Sequence, residues 1–205
     1  SVGARLALIT VLVIVAIAGT STVVLVYLRT KMWEEREAKI QQVVQASHNV
    51  AQRYHERAQN GELSTEEAKQ RALNAIEAMR YGDFGYVWVH NTSNTMVMHP
   101  IKPELNGQDM SQTTDTRGKR LVAELTRSAR DGNGFVSYFW DKRGADQPVE
   151  KVSFGKHFAP WDWVLASGVY VDDIKSAFWQ SAAVQIALIL SITLAVLAAV
   201  WLVSR

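Results

Sequence analysis

Tyr81-Gly-Asp-Phe-Gly-Tyr-Val-Trp-Val-His-Asn91 opens a series of five strand-like runs that ends at Val171. The others are Thr95-Met-Val-Met-His-Pro100, Gly134-Phe-Val-Ser-Tyr-Phe-Trp140, Lys151-Val-Ser-Phe-Gly-Lys-His-Phe158 and Trp163-Val-Leu-Ala-Ser-Gly-Val-Tyr-Val171. All are rich in Val, Phe, Tyr and Trp. They are separated by turn-forming stretches at Asn91 to Asn94, Asp131-Gly132-Asn133-Gly134, Lys142 to Pro148 and Ala159-Pro160. Everything before Tyr81 and after Asp172 reads as helix. The fold class is therefore α+β.

Working outward, the apolar content is uneven. The 205 residues are 48% hydrophobic and 20% charged, with a formal net charge of +2. Leu6 to Leu28 and Ala177 to Val203 carry no charged residue. Each exceeds the ~20 residues that span a hydrocarbon core of ~30 Å. The division expected is residues 1–28 as an N-terminal transmembrane helix, 29–176 as one ligand-binding domain and 177–205 as a second transmembrane helix, with membrane lipid around both spans. A signal peptide is the competing reading of the first run: Arg5 is a short basic start and Ala16-Ile17-Ala18 a small-residue cleavage pattern. The run continues past that site to Tyr27-Leu28, whereas signal cores are about 7–15 residues, so an uncleaved span is expected. The chain opens without Met and stops just past the second run, as expected for part of a longer protein. One small domain held between two anchors is the architecture of a sensor.

Lys31 to Gln59 shows helical periodicity, with Ile40, Val43, Val44, Ser47, Ala51, Tyr54 and Ala58 forming one apolar or small stripe. Two spans per chain and this long striped helix point to a homodimer. Ser64-Thr65-Glu66-Glu67 is a capping box that starts a second helix, expected to run to about Arg80 and stop at Gly82, with Ala72, Leu73, Ile76 and Met79 inward. A third helix is expected from about Thr116 to Arg130, striped by Leu121, Val122, Leu125 and Ala129. Asp172-Asp173 suit the positive end of the last helix. Membrane orientation does not follow from charge. Arg29, Lys31, Arg36 and Lys175 flank the central segment, but that segment exceeds the ~60 residues over which the positive-inside rule holds.

Several function classes are excluded or unsupported. Without cysteine there is neither a disulfide nor a thiolate metal site. The five histidines are scattered, and His48 and His55 read as ordinary surface or core residues. No metal or cofactor is expected. Glu34, Glu35 and Glu37 read as a solvated helix face. There is no nucleophile elbow, phosphate loop or dinucleotide fingerprint, and no basic stripe that would suggest nucleic acid. Gly82-Asp83-Phe84-Gly85 reads as a helix-to-strand corner. No catalytic residue is assigned.

The strands carry more. Alternation puts Tyr86, Trp88 and His90 on one face of their strand, His99 on a face with Val97, and Val136, Tyr138 and Trp140 on another. Val152, Phe154, Lys156 and Phe158 share a fourth. Lys156 is either an edge-strand lysine snorkelling to solvent or an ammonium kept in an aromatic pocket for a ligand carboxylate. Tyr and His side chains would add directional hydrogen bonds in that pocket. Tyr86, Trp88 and Tyr138 are equally explicable as core packing.

The blocks G-Y-V-W-V-H-N, M-H-P-I-K-P-E-L-N-G-Q-D, G-N-G-F-V-S-Y-F-W and K-V-S-F-G-K-H-F-A-P-W-D-W-V-L-A-S-G-V-Y-V-D-D-I resemble those of a single Cache domain. These are the extracytoplasmic sensor modules of bacterial methyl-accepting chemotaxis proteins and related kinases. The resemblance covers about residues 30–176. It implies a PAS-like, five-stranded antiparallel sheet with a long N-terminal helix, a periplasmic central domain in a two-pass protein of the bacterial inner membrane, and a small organic carboxylate ligand such as acetate, propionate, pyruvate or lactate. It assigns the ligand-binding positions to Tyr86, Trp88, His99, Tyr138 and Lys156. The output domain is left open: the input half of a histidine kinase or of a cyclic-dinucleotide enzyme is the rival within signalling, and a membrane-tethered hydrolase the rival from outside it.

Overall fold

The computed structural model describes residues 2–82, 84–132 and 134–203. Asp83 of the helix-to-strand corner and Asn133 of the Asp-Gly-Asn-Gly turn lie outside the described residues, as do the side chain of Arg5 and all of Arg205. The chain divides into two compact units, Ser1–Glu35 with Asp173–Arg205, and Arg36–Asp172.

The first unit is helical, formed by the start of α1 (Val2–Gln59) and nearly all of α4 (Val171–Val203). Both helices are long and apolar enough to cross a membrane. Large apolar side chains stand open on them, among them Val15, Val23, Leu188 and Leu194. Several hydroxyl groups are bonded internally. Thr20, Ser21 and Thr22 donate to the carbonyls of Ala16, Ile17 and Ala18, and Ser181, Ser191 and Thr193 donate to those of Ala177, Ala187 and Ile189. A hydrocarbon environment supplies no water for such groups, so each must find its partner within the helix.

The second unit is built on an antiparallel sheet. Its strands are β1 (Arg80–Tyr81), β2 (Gly85–Asn91), β3 (Met96–Met98), β4 (Phe135–Trp140), β5 (Val149–Phe158) and β6 (Trp163–Tyr170), in the order β1-β2-β6-β5-β4 with β3 on β2. The five expected strands are present, and a two-residue strand is added at Arg80–Tyr81. That pairing shortens the second helix: α2 is Thr65–Glu77, ending three residues before the Arg80 expected. Its start is as read, Ser64 Oγ accepting from Glu67 N at 3.1 Å. The reciprocal half of the box is absent, because the Glu67 carboxylate pairs with Arg71 at 2.7 Å instead.

α3 is Leu121–Asp131, starting five residues later than Thr116. Gly118 has φ +79°, a left-handed conformation incompatible with a helix interior. Asp115 holds the preceding turn by accepting from the amides of Arg117 and Lys119, and it ties that turn to β4 through the amide of Phe139.

Two cores lie on opposite faces of the sheet. On one, Ala51 of α1 and Ala68, Ala72 and Ile76 of α2 pack with Val87, Val89, Phe158, Trp163 and Leu165. Ile40, Val44 and Ser47 of the α1 stripe are also fully buried. His48 and His55 pack edge-on against Phe158, as ordinary core neighbours. On the other face, Leu121, Val122 and Leu125 of α3 cover Tyr86, Trp88, Val136, Tyr138 and Ala166.

Candidate functional site

The α3 face holds the site. Antiparallel register places Tyr138, Lys151 and Tyr170 in one row across β4, β5 and β6, and Trp88, Ala166 and Gly155 in another. Tyr86, Trp88, Met96, His99, Tyr138, Trp140 and Lys151 enclose a cavity of about 10 Å³ that α3 closes with Leu121, Val122 and Leu125. That is room for about one water. Beside it lies an outer cavity of about 220 Å³, sharing a wall of Tyr86, His99 and Trp140.

Lys151 is the unusual member, 1% exposed. Its Nζ donates to the Tyr86 hydroxyl at 2.8 Å and lies 4.2, 4.9 and 5.1 Å from the ring centroids of Tyr86, Trp88 and Tyr170. Among the described residues no carboxylate pairs with it. Ring faces and one hydroxyl compensate a desolvated ammonium only in part, and burial lowers its pKa to about 7. Gly168 makes room for it. A Cβ there would stand 2.1 Å from Ser153 Oγ, 2.7 Å from the Val152 carbonyl and 3.0 Å from Lys151 Cε.

The other polar groups are oriented. His99 Nδ1 accepts from the amides of Lys102 at 2.9 Å and Ile101 at 3.3 Å, and its own amide donates to Asn106 Oδ1. Burial, with Lys151 and Lys102 nearby, lowers its pKa to about 3. The ring is thus neutral with its proton on Nε2, a donor that no described residue accepts. Tyr138 OH lies 2.9 Å from Ser153 Oγ, and burial raises its pKa. Desolvation likewise keeps Tyr86 protonated. The site therefore offers one buried cation and neutral hydrogen-bonding groups on an aromatic wall. This suits a small anion better than an amine, which Lys151 would repel.

Four of the five residues expected at the site come together here: Tyr86, Trp88, His99 and Tyr138. Lys156 does not. It is on the opposite face of β5, where its Nζ donates to Gln45 Oε1 of α1 at 2.5 Å. It lies beyond Phe154, the last β5 residue paired with β4, so its side chain has a local sheet edge to leave by. Alternation had grouped it correctly with Val152, Phe154 and Phe158, but that face is turned away from the cavity. His99 is not grouped with Val97 either. The β2–β3 register shifts at Val97, which is left between the pairs Val89–Met98 and His90–Met96, so alternation breaks inside β3: Met96 lies in the α3-side core, while Val97 and Met98 pack with the opposite one. The residue missed was Lys151, the first of the quoted strand, whose face continues through the small residues Ser153 and Gly155. Trp140 and Met96 were also unassigned.

Comparison with known proteins identifies the family and the fold. The family described as Single Cache domain 2 matches residues 32–183. The methyl-accepting chemotaxis protein McpP of Pseudomonas putida is 35% identical over 87% of this chain and 33% of its own length. The sensor histidine kinase MctS of Rhizobium johnstonii is 31% identical over 74% of this chain and 32% of its own. This chain thus spans about a third of the length of these curated relatives. A solved structure described as the periplasmic sensor domain of a chemotaxis protein is 45% identical, with a TM-score of 0.66 over 68% of this chain and 98% of that one. A Cache chemosensory domain solved for its carboxylic acid recognition is 35% identical, with a TM-score of 0.65 over 69% of this chain and 97% of that one.

Proposed function

We propose that this chain, which belongs to the single Cache domain 2 family, is the sensory and membrane-spanning part of a chemoreceptor that binds a small organic carboxylate. The observation that carries the ligand class is Lys151, a buried ammonium bonded to Tyr86 and ringed by aromatic faces, with no carboxylate beside it among the described residues. A bound carboxylate supplies the missing charge. His99 Nε2–H gives one of its oxygens a directional donor, while Trp88 and Tyr138 exclude water. The carboxylic acid recognition of a related Cache domain supports the same class. Acetate, propionate, pyruvate and lactate are the first candidates.

The division into residues 1–28, 29–176 and 177–205 is part of this proposal, as are a periplasmic central domain, two passes through the bacterial inner membrane with lipid around both, and a homodimer. A related periplasmic chemotaxis sensor domain and two helices of membrane-crossing length support the placement. The 31% identity to a sensor histidine kinase favours a second reading, in which the same sensory part drives a kinase. The segment following Arg205 in the full-length gene decides between them. The binding proposal is tested by calorimetry of the detergent-solubilised chain against short carboxylates, amines and amino acids. Carboxylate binding that disappears in Lys151→Met supports it, and binding of amines alone overturns it.

A further inference from the structure

The outer cavity has a chemistry of its own. Its 220 Å³ are bounded by Arg80, Lys102 and Arg143, with Asp141 the one carboxylate among its described lining residues. Asp141 is already engaged, its carboxylate paired with Lys102. Arg80 is held in place by donating to the carbonyls of Glu77 and Met79. One guanidinium nitrogen makes both bonds, and the rest of the group has no partner among the described residues. Arg143 makes no hydrogen bond or ion pair among the described residues. Two guanidinium groups thus stand at a cavity that shares its inner wall, Tyr86, His99 and Trp140, with the Lys151 cavity. Planar guanidinium forks bind carboxylate in a bidentate manner.

We infer that the outer cavity is a second anion subsite, formed by Arg143 and Arg80, and that the site accepts dicarboxylates. One carboxylate of the ligand meets Lys151 and the other remains in the outer cavity. The inference rests on the carboxylate reading of Lys151 and extends it. The inner cavity, with room for about one water, cannot enclose a whole carboxylic acid without rearrangement. The outer one leaves a larger ligand room for its second end.

The test uses the detergent-solubilised chain and matched probes: propionate with malonate, butyrate with succinate, valerate with glutarate. Calorimetry is expected to find at least one dicarboxylate bound more tightly than its monocarboxylate partner. Arg143→Gln is expected to weaken that dicarboxylate about fivefold, as suits a partly exposed ion pair, and to leave the monocarboxylate unchanged. Arg80→Gln should act in the same direction. Raising the salt concentration should narrow the preference, since the outer pair is screened more than the buried one. The monocarboxylate serves as the folding control for both variants. If monocarboxylates bind through Lys151 and no dicarboxylate exceeds its partner, or if Arg143→Gln and Arg80→Gln leave the dicarboxylate unaffected, the second subsite is overturned and the carboxylate reading stands. If neither kind binds, both are overturned.

Discussion

Lys151 Nζ stands 2.8 Å from the Tyr86 hydroxyl, across from β5 to β2, in a buried part of the molecule. The bond fixes the ammonium over the Tyr86 and Trp88 rings and leaves its charge without a full counterpart.

Removing that charge is expected to abolish recognition. Breaking one side of a buried, hydrogen-bonded charge pair costs about 2–5 kcal/mol, so Lys151→Met should weaken carboxylate binding by at least ~30-fold, 1.4 kcal/mol being tenfold. Lys156→Met, on the α1 face, should leave affinity within about twofold. Calorimetry of the two variants side by side checks the assignment. Equal losses would show that the lysines act through stability rather than contact.

Affinity should depend on pH through the same group. With the Lys151 pKa lowered to about 7 by burial, the ligand-free site is charged in acid and progressively neutral above neutrality. A carboxylate selects the charged form. Its affinity should be level below pH about 7, then decline by up to tenfold per unit, with one proton taken up on binding at pH 8. Calorimetry in two buffers of different ionisation enthalpy measures that uptake directly, and a flat profile from pH 6 to 9 would refute the role of Lys151.

Stability of the ligand-free chain should rise with pH in two windows. His90 and His99 have pKa values near 3 because burial disfavours the imidazolium. From pH about 6.5 down to 3 the unfolded chain therefore binds more protons and the fold loses stability as pH falls. Lys151 acts in the same sense between about 7 and 10.5: the unfolded amine is protonated there, the folded one is not, and stability is regained as pH rises. Melting temperatures across pH 4–10 without ligand test both windows. Lys151→Met should remove its part of the upper one and leave the lower one, which burial dominates, largely in place.

Gly168→Ala should destabilise the domain by about 1–3 kcal/mol, the usual range for overpacking. Its Cβ would meet a backbone carbonyl and Ser153 Oγ, neither of which can retreat as the tip of a flexible side chain can. Because Lys151 Cε is the third contact, the variant should also lose carboxylate affinity beyond the loss in stability. A melting curve together with a titration at low temperature separates the two effects.

If α1 joins two copies, cysteines at its exposed positions Gln42 and Asn49 should crosslink in the membrane, whereas those at Val44 and Ala51 should not. The latter two are fully buried against their own sheet. Crosslinking at neither pair of positions would remove this helix from the interface.

The regular part of the site was legible in the sequence and the irregular part was not. Tyr86 and Trp88 lie in a seven-residue strand whose alternation is unbroken, so a period of two places them together. Tyr138 follows likewise from β4. Alternation sorts a strand into two faces without saying which layer covers each. β5 is covered on both faces, by α1 and by α3, and a lysine occurs on each. Lys156 is the one on the α1 side and Lys151 the one on the α3 side. His99 reaches the cavity from beyond the end of β3 and is held by amides of the loop that follows, a geometry that no periodicity encodes. The helix boundaries moved for similarly local reasons, the left-handed Gly118 and the pairing of Arg80 with Tyr86.

The five-residue separation of Lys151 and Lys156 has a consequence for how such receptors diverge. Loss or gain of one residue between them would leave every backbone partner of β5 available and reverse the orientation of the strand on one side of the change. A change of that kind turns one lysine out of its layer and a neighbour into it, and it moves packed residues such as Phe158 or Gly155 with them. The length of β5 is therefore constrained by the packing on both of its faces as well as by the Lys151 cavity. A lineage that altered it would have to repack both layers while it rebuilt the cavity.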